Sequence, residues 1–274
     1  MITLIDMQIE NNNELAKNLE LLANSIFKSW FIDFDPVVAK MKGERPFGMD
    51  DETATLFPHA LVESELGMIP KGWIVGRIGD LGRIVAGKTP STKVDEYWGK
   101  EIPFITIPDL HKSNVVTNTK RYLSDFGSQS QPNQLIPKGA TAVSCIASSG
   151  LVTFICSPSH TNQQINSIIP HKQEENEWVY CMILDFAEQI IHASGVGTVF
   201  NNLNKSTFSG LQILLPPPAL RERFSRLVSA QISSRESIQS SSLTLEEARS
   251  TVLANLVDGT INLASKGVNF ELTE

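Results

Sequence analysis

A stripe of apolar residues that ends in an aromatic cluster and a proline constrains the fold of this chain most. The stripe recurs at spacings of four, three and four residues and consists of Leu15, Leu19, Leu22 and Ile26. This spacing predicts one face of a helix that packs along a partner helix. Residues 27–34 then hold four aromatic side chains, Trp30 among them, before Pro36 forbids continuation of the helix and favours extended backbone at Asp35. We expect a helix over about 14–31, capped by Asn12 or Asn13, whose aromatic end packs against another element.

Composition is typical of a folded protein without membrane spans. Apolar residues make up 41% of the 274 residues, and no run of eighteen apolar residues occurs. The first ten residues are poor in basic side chains and lack an uninterrupted apolar core, so no signal peptide is predicted. Three widely spaced cysteines (Cys145, Cys156 and Cys181) indicate buried thiols in a reducing compartment. We therefore expect a cytoplasmic protein.

The net charge of −7 is distributed unevenly along the chain. Residues 1–72 hold 6 Lys and Arg against 12 Asp and Glu, residues 73–215 hold 11 against 11, and residues 216–274 hold 6 against 7. The acidity therefore lies in the N-terminal arm, and the middle segment is neutral. A neutral domain can present a basic face, although its non-specific attraction to phosphate is weaker than that of a domain of high pI. Charge alone leaves nucleic-acid binding open.

The texture of the sequence predicts an α+β protein. A linker or strap over 33–72 is irregular, and the short strands of a β-rich domain over 73–215 follow it. The predicted strands lie near 73–78, 82–86, 103–107, 140–146, 151–156, 165–169 and 210–214. One helix, at about 177–193, interrupts them.

A second long helix follows the prolines at 216–218 and is expected to run from about 219 to Asp258, with Gly259 just beyond its end. Together with its flanking residues it makes up 216–260, and a tail over 261–274 completes the chain. Its apolar positions are compatible with a heptad pattern and comprise Leu220, Phe224, Leu227, Ile238, Leu245 and Val252. At 1.5 Å per residue the helix is about 60 Å long, far longer than a domain of this size requires, so it is expected to pair with another helix.

No pattern of residues predicts a catalytic centre. The Asn-Pro-Pro-aromatic motif of amino-methyltransferases is absent, and the glycines at 195–197 precede neither Gly-Lys-Ser/Thr nor a helix. The five histidines have no metal-ligand spacing, and Cys145 lies in an apolar strand, where a packed thiol is expected. The sequence therefore predicts no catalytic residue, no metal ligand and no cofactor.

Polar loops follow several of the predicted strands. They are the segments 87–93, 148–150, 161–164 and 201–207. Their Asn and Gln side chains are suited to adenine edges, and their Lys, Ser and Thr side chains to phosphates. Ordinary turn chemistry explains the same composition, because Asn, Ser and Gly also stabilise turns for local reasons. Both interpretations stay open at this point.

Taken in order, these segments resemble the specificity subunits of type I restriction–modification enzymes. The matching segments are 26–37, 62–73, 87–90, 102–106, 109–110, 136–139, 147–150, 161–164 and 215–220. One departure is Leu220-Arg221, where many members carry a Glu-Gln pair after the prolines.

The resemblance implies a β-rich target-recognition domain flanked by long helices that form an antiparallel coiled coil. Members of that family contain two recognition domains held apart by two helical regions. This chain therefore resembles a half-subunit or a C-terminal fragment, with a helix over 1–32. The implied partners are double-stranded DNA, methyltransferase subunits and a restriction subunit. From the polar loops we predict DNA contacts at Lys88, Thr89, Lys93, Ser149, Asn162, Gln163, Asn202 and Lys205.

Three hypotheses follow. The first is sequence-specific DNA recognition without catalysis, in which two copies pair through their helices and read an interrupted palindrome. The helix contacts would involve Trp30 and the two apolar stripes. The second is an adaptor that docks on methyltransferase subunits, or competes with a full-length specificity subunit, without binding DNA. The third is an uncharacterised thiol or metal enzyme.

Overall fold

The N-terminal helix is longer than the sequence predicts. The computed structural model describes residues 2–111, 113–145, 150–194 and 204–258. Helix α1 spans Ile2–Phe31, so the predicted start near residue 14 is wrong. Asn12 does not cap the helix, because its buried side chain donates a hydrogen bond to Ser242 Oγ at 3.2 Å and accepts one from Gln8 Nε2 at 3.0 Å. A distant partner therefore allows an asparagine inside a helix.

Residues 33–72 contain more regular structure than the predicted irregular strap. They hold helix α2 (Asp35–Met41), helix α3 (Asp51–Thr55) and a hairpin of strands β1 (Leu61–Ser64) and β2 (Gly67–Pro70). Pro36 separates α1 from α2 but lies in the first turn of α2, where proline is tolerated, so Asp35 is helical and not extended as predicted. The chain turns between the helices at Phe34, which adopts a left-handed φ of 55°.

The described part of the segment between the strap and the last helix contains strands, three short α-helices and one helix of 19 residues. The resemblance described above predicts a target-recognition domain here, and we keep the name recognition domain for this segment. Its strands are β3 (Ile74–Arg77), β4 (Gly82–Ala86), β5 (Trp98–Ile105), β6 (Val115–Val116), β7 (Arg121–Leu123), β8 (Thr141–Ser144), β9 (Val152–Ile155), β10 (His160–Thr161), β11 (Ile165–Pro170) and β12 (Gln212–Leu215). Its helices are α4 (Ile107–Leu110), α5 (Asp125–Gln129), α6 (Asn176–Ser194) and α7 (Lys205–Ser209), and helix α8 (Pro218–Val257) follows. The predicted strands and the two predicted helices are confirmed with shifted ends. Strands β6, β7 and β10 escaped prediction because two or three residues carry no readable alternation. Gly259 lies outside the described residues.

Three sheets make up the recognition domain. A five-stranded sheet has the order β4-β11-β8-β9-β6, antiparallel except for the pairing of β6 with β9. A three-stranded sheet has the order β10-β5-β7, and its register shifts between Trp98 and Ile102. Strands β3 and β12 pair antiparallel and bring the two ends of the domain together. The chain therefore enters and leaves the domain at the same place, beside the helices.

An aromatic cluster joins the helices to the recognition domain. The Phe224 ring of α8 is fully buried and lies 5.3–5.9 Å from the rings of Phe27, Trp30 and Phe31 of α1. The Phe31 ring in turn contacts Trp178 of α6 at 6.0 Å. A second, smaller core lies inside the domain and includes Ile105, Leu110, Ile136, Ile155 and Ile165. The predicted aromatic end of α1 thus packs against α8 of the same chain.

Helices α1 and α8 form an antiparallel coiled coil beside the three sheets of the recognition domain. The predicted class, an α+β fold flanked by long helices, is therefore confirmed. Asp6 Oδ1 lies 2.9 Å from Arg249 Nη1 at one end, and Phe27 packs against Phe224 at the other. Between these ends polar side chains also contact each other, and Arg235 Nη2 donates to Glu20 Oε2 at 2.8 Å. None of the helices within the described ranges combines the length and apolar character that crossing a bilayer requires.

The seam between α1 and α8 differs from the predicted apolar stripe. Trp30, Leu220 and Phe224 are buried, whereas Leu19, Ile26, Ile238, Leu245 and Val252 are half-buried. Leu15 and Leu22 are each 49% exposed, and Leu227 is 45% exposed, so these three do not belong to the seam. The buried face of α1 instead includes Asn12 and Ala23. Polar and small residues therefore form part of the seam, and only some residues of the predicted apolar stripe contribute to it.

Candidate nucleic-acid interface

Two of the polar loops predicted from the sequence lie side by side, and we call 87–93 and 161–164 the paired loops. The backbone N–H of Lys88 donates to the carbonyl of Thr161 at 2.9 Å. A Cβ atom on Gly87 would lie 2.0 Å from the carbonyl oxygen of Asn162, so only glycine permits this approach. Thr89 Oγ1 donates to Gln163 Oε1 at 2.7 Å and links the loop tips.

The structure brings together only some of the predicted DNA contacts. Lys88, Lys93 and Gln163 are exposed on the paired loops, and Thr89 and Asn162 are half-buried there. Asn162 is engaged locally, since its Nδ2 donates to Gln164 Oε1 at 3.0 Å. Lys205 lies elsewhere, in a cleft with Arg77 near the start of β4, whereas the loop 87–93 follows the end of that strand. Ser149 and Asn202 lie outside the described residues.

A buried histidine stands behind the paired loops. His160 has no exposed surface, its Nε2 lies 2.8 Å from Ser128 Oγ, and its Nδ1 lies 3.3 Å from Gln131 Nε2. Gln131 Nε2 also donates to the carbonyl of Lys88 at 3.1 Å. Burial lowers the pKa of His160 to about 4, so the ring is neutral at physiological pH. The network therefore supports the backbone of the Lys88 loop without adding charge.

A basic and aromatic cluster that the sequence reasoning missed adjoins the paired loops. Its members line one shallow concavity, which we call the Trp98 face, and they are Trp98, Gly99, Lys100, Lys120, Arg121 and Tyr122. The guanidinium carbon of Arg121 lies 3.6 Å from the centre of the Trp98 ring. The Trp98 indole N–H donates to the carbonyl of Ser91 at 3.3 Å, which connects this face to the loop 87–93. The one signal available in the sequence was a tryptophan shortly before the predicted strand at 103–107, with Glu96 and Lys100 each two positions away.

Buried polar groups hold the Trp98 face in place from below. Asp109 is only 3% exposed, and its Oδ1 accepts a hydrogen bond from the backbone N–H of Lys120 at 3.1 Å. Its Oδ2 accepts from the backbone N–H and the hydroxyl of Thr106 at 2.9 and 2.7 Å. Thr119 Oγ1 donates to the carbonyl of Arg121 at 2.7 Å. Hydrogen bonds to the backbone N–H of Lys120 and to the carbonyl of Arg121 therefore hold this segment in place.

The described cations of the recognition domain differ in their partners, and Arg83 donates from Nη1 to the carbonyl of Asn133 at 3.2 Å. Lys138 and Lys172 form ion pairs with Glu236 and Glu222 of α8 at 2.9 and 2.7 Å. Among the described residues, every ion pair includes a residue of α1, α8 or the strap. Within the same ranges, no carboxylate oxygen lies within 4 Å of the side-chain nitrogens of Arg77, Lys88, Lys93, Lys100, Lys120, Arg121 or Lys205. These exposed cations are therefore available to an external anion.

Polar contacts fix the recognition domain to the coiled coil. Glu20 of α1 accepts from Arg235 of α8 and also from the side-chain amide of Asn114, which precedes β6. The backbone N–H of Trp178 donates to Ser225 Oγ at 3.0 Å. Residues 117–120 and α8 line a common cleft of about 240 Å³. The Trp98 face and the paired loops thus keep one orientation relative to the helices.

The described residues offer little for covalent or metal chemistry. Within them, no group of three His, Cys, Asp or Glu side chains is placed to hold a metal ion. Cys145, Cys156 and Cys181 are buried and free, and burial raises the pKa of all three thiols, that of Cys156 to about 12. A thiol with a raised pKa carries little of the thiolate form that acts as a nucleophile. The arrangement is suited to anion binding and polar recognition.

Comparisons with known proteins give a consistent result. A family model described as type I restriction modification DNA specificity domain matches residues 70–223. The chain is 34% identical, over 95% of its length, to the type I restriction enzyme HindI specificity subunit of Haemophilus influenzae. It is 32% identical, over 61% of its length, to the type I restriction enzyme MjaIX specificity subunit of Methanocaldococcus jannaschii.

A solved structure shares the fold. It is the S subunit of a type I restriction–modification system from M. genitalium, which superposes on 92% of this chain with a TM-score of 0.61 and 11% sequence identity. The chain covers 66% of the HindI subunit, 39% of the MjaIX subunit and 57% of the M. genitalium structure. It therefore spans less than two thirds of the length of each of these proteins.

Proposed function

Because this chain belongs to the type I restriction modification DNA specificity family, we propose that it recognises DNA in a sequence-specific manner for a type I restriction–modification complex. It provides the sequence specificity, and partner subunits in the cytoplasm carry out methylation and cleavage. The observation that carries this proposal is that the domain matched by the family model presents polar loops and unpaired cations on a surface fixed to a coiled coil. Such an arrangement combines a reader with a rigid spacer.

The paired loops are suited to reading bases. The Gln163 Oε1 atom accepts from Thr89, so its Nε2 group remains to donate to an acceptor on a base edge. The exposed ammonium groups of Lys88 and Lys93 are suited to phosphates on either side. Ser149 and Asn202 complete this set as further proposed contacts, and Lys205 would reach DNA at the other end of β4.

The coiled coil is suited to setting the distance between two reading domains. Helix α8 has 40 residues, which corresponds to about 60 Å. Polar contacts such as Asn12 with Ser242 and Glu20 with Arg235 occur at fixed positions along the seam, and buried polar pairs of this kind specify the register of helices. A fixed register keeps the recognition domain at a constant place along the rod.

The exposed side of α1 is the place where we expect partner subunits. Leu4, Leu15 and Leu22 are 49–68% exposed and recur at spacings of eleven and seven residues, so they lie on one side of the helix. Leu227 of α8 is also exposed. We propose that methyltransferase subunits, and through them a restriction subunit, assemble on the helices.

We further propose that two copies of this chain pair in the complex. Two copies would present identical half-sites, and the target would be an interrupted palindrome.

Sequencing of methylated bases in cells that express the chain with its methyltransferase tests the proposal. The expected result is one methylated motif that disappears when the chain is omitted. A motif that is not palindromic would rule out the symmetric pair but not DNA recognition. Absence of any motif, together with failure of the assembled complex to enrich a sequence from a random duplex library, would favour the adaptor that binds no DNA.

A further inference from the structure

We propose that the Trp98 face is a phosphate-binding site for the DNA backbone, adjacent to the bases that the paired loops read. This inference rests on the proposed function and assigns to that function a set of residues that the sequence did not indicate. The face consists of Lys100, Lys120 and Arg121 around Trp98. Its role is to hold the duplex in register while the neighbouring loops discriminate sequence.

The positive charges of this face form no ion pair within the described residues. Lys100, Lys120 and Arg121 are exposed, and no carboxylate oxygen of the described residues lies within 4 Å of their side-chain nitrogens. The nearest carboxylate in sequence, Glu101, is engaged locally, since its Oε2 accepts from the backbone N–H of Lys100 at 2.9 Å. Three cations in one concavity are therefore available to an anion.

Arg121 is positioned to bind an anion before any ligand arrives. Its guanidinium group lies 3.6 Å from the centre of the Trp98 ring, so one flat side is covered and the N–H groups at its edges stay available. The Trp98 ring is itself held edge-on against Phe104 at 5.3 Å. An arginine fixed in this way loses less conformational entropy on binding a phosphate oxygen than a free side chain does.

The composition of the face favours phosphates over bases. Arginine and lysine can read guanine, but adenine is read by side-chain amides and cytosine by carboxylates, and this face holds neither group. The one hydroxyl here, on Tyr122, already donates to Asn118 Oδ1 and accepts from the N–H of Thr119 at 3.4 Å. The Trp98 indole is bound to the carbonyl of Ser91 in the loop 87–93. A duplex that meets this loop therefore meets the Trp98 face as part of the same rigid surface.

The test uses the full chain purified in complex with its methyltransferase subunits. Dissociation constants for a duplex that carries the methylated motif and for a duplex of random sequence are measured over a range of KCl concentrations. The variants are Lys100→Ala with Lys120→Ala, and Arg121→Ala. The control variant, Lys42→Ala with Lys71→Ala, removes two exposed lysines from the strap and leaves the recognition domain intact.

The double variant is expected to bind both duplexes roughly tenfold more weakly, so that the preference for the motif is unchanged. The magnitude of its slope of log K against log salt should fall by about 1.8, that is, by about 0.9 for each phosphate that the protein no longer neutralises. Arg121→Ala should lower the slope by about 0.9, and Arg121→Lys should restore most of it because the charge is kept. The control should equal the wild type.

Two results would overturn the inference. One is a double variant whose affinity and salt slope equal those of the wild type in a complex that still prefers its motif, which would leave the proposed function intact. The other is a loss of affinity confined to the motif duplex, since that would mean that these side chains read bases. A wild-type complex without any sequence preference would instead remove the proposed function, and this inference with it.

Discussion

Two arginines stack on tryptophan rings within the part of the chain that the structure describes, and the two stacks differ in what surrounds them. Arg221 lies over Trp178 at 5.4 Å between α8 and α6, and its Nη1 is 2.7 Å from Oε2 of buried Glu175. Arg121 lies over Trp98 at 3.6 Å on the surface, and none of the described carboxylates pairs with it. The first stack is enclosed and paired, which indicates a structural role. The second is open and unpaired, so its charge contributes little to stability and is free for a ligand.

The largest effect is expected in the aromatic cluster that surrounds the first stack. Phe224→Ala should lower the free energy of unfolding by about 4 kcal/mol, because it leaves a cavity between Phe27, Trp30 and Phe31. Phe126→Ala is the matched control in the recognition domain and should cost less than about 1 kcal/mol, since Phe126 is 57% exposed. Urea denaturation measures both. Equal decreases in stability would show that the two regions do not differ in packing.

Removal of the paired arginine is expected to have the next largest effect. Arg221→Ala should destabilise the protein by about 3 kcal/mol at pH 8, because it leaves the carboxylate of Glu175 buried without a partner. Burial already raises the pKa of Glu175, while Arg221 lowers it, so the cost should be smaller at acidic pH, where the carboxyl group can take up a proton. Arg121→Ala should stay within about 0.5 kcal/mol of the wild type at both pH values. A comparable destabilisation by Arg121→Ala would contradict the division into structural and ligand-binding stacks.

Stability should also depend on pH through His160, beneath the paired loops. The pKa of this ring is about 4 in the folded protein against 6.5 in a free chain, so between these values the unfolded state binds more protons. The contribution is fully present above pH 6.5 and is lost as the pH falls toward 4. The expected decrease in stability is about 2 kcal/mol at pH 5 relative to pH 8. His160→Gln should remove this part of the dependence, and an unchanged pH profile in the variant would show that another group is responsible.

The smallest effect on stability, but a clear effect on binding, is expected for Lys88. Lys88→Ala should change the free energy of unfolding by less than about 0.5 kcal/mol, because the side chain is exposed and unpaired among the described residues. If it contacts phosphate, binding of the complex to all DNA sequences should weaken and the salt dependence should flatten. A changed methylation motif would mean that Lys88 reads base edges.

Local patterns in the sequence were sufficient for the longest elements. Helix α8 and the larger strands follow from apolar periodicity and the flanking prolines, and their ends are off by only a few residues. The start of α1 was misjudged because Asn12 finds its partner, Ser242, 230 residues away. Asp35 and Pro36 were misjudged for a local reason, because proline is tolerated in the first turn of a helix and here it lies in the first turn of α2.

The candidate site divides in the same way. The loops 87–93 and 161–164 were predicted separately from their composition, and the hydrogen bond between Thr89 and Gln163 shows that they form one surface. The Trp98 face could not be predicted, because its residues come from two segments that only the pairing of β5 with β7 brings together. Lys205 has the residue type expected of a phosphate contact, but its position beside Arg77 separates it from the others.

The sequence by itself determined the family, the α+β class and the two long helices, because these depend on periodicity and on ordered motifs that neighbouring residues express. Only the tertiary structure decided which side of α1 forms the seam and which cations remain unpaired. It also decided that an arginine and a tryptophan 23 positions apart form one binding face. Pairing, burial and stacking depend on residues distant in the chain, and no local pattern records them.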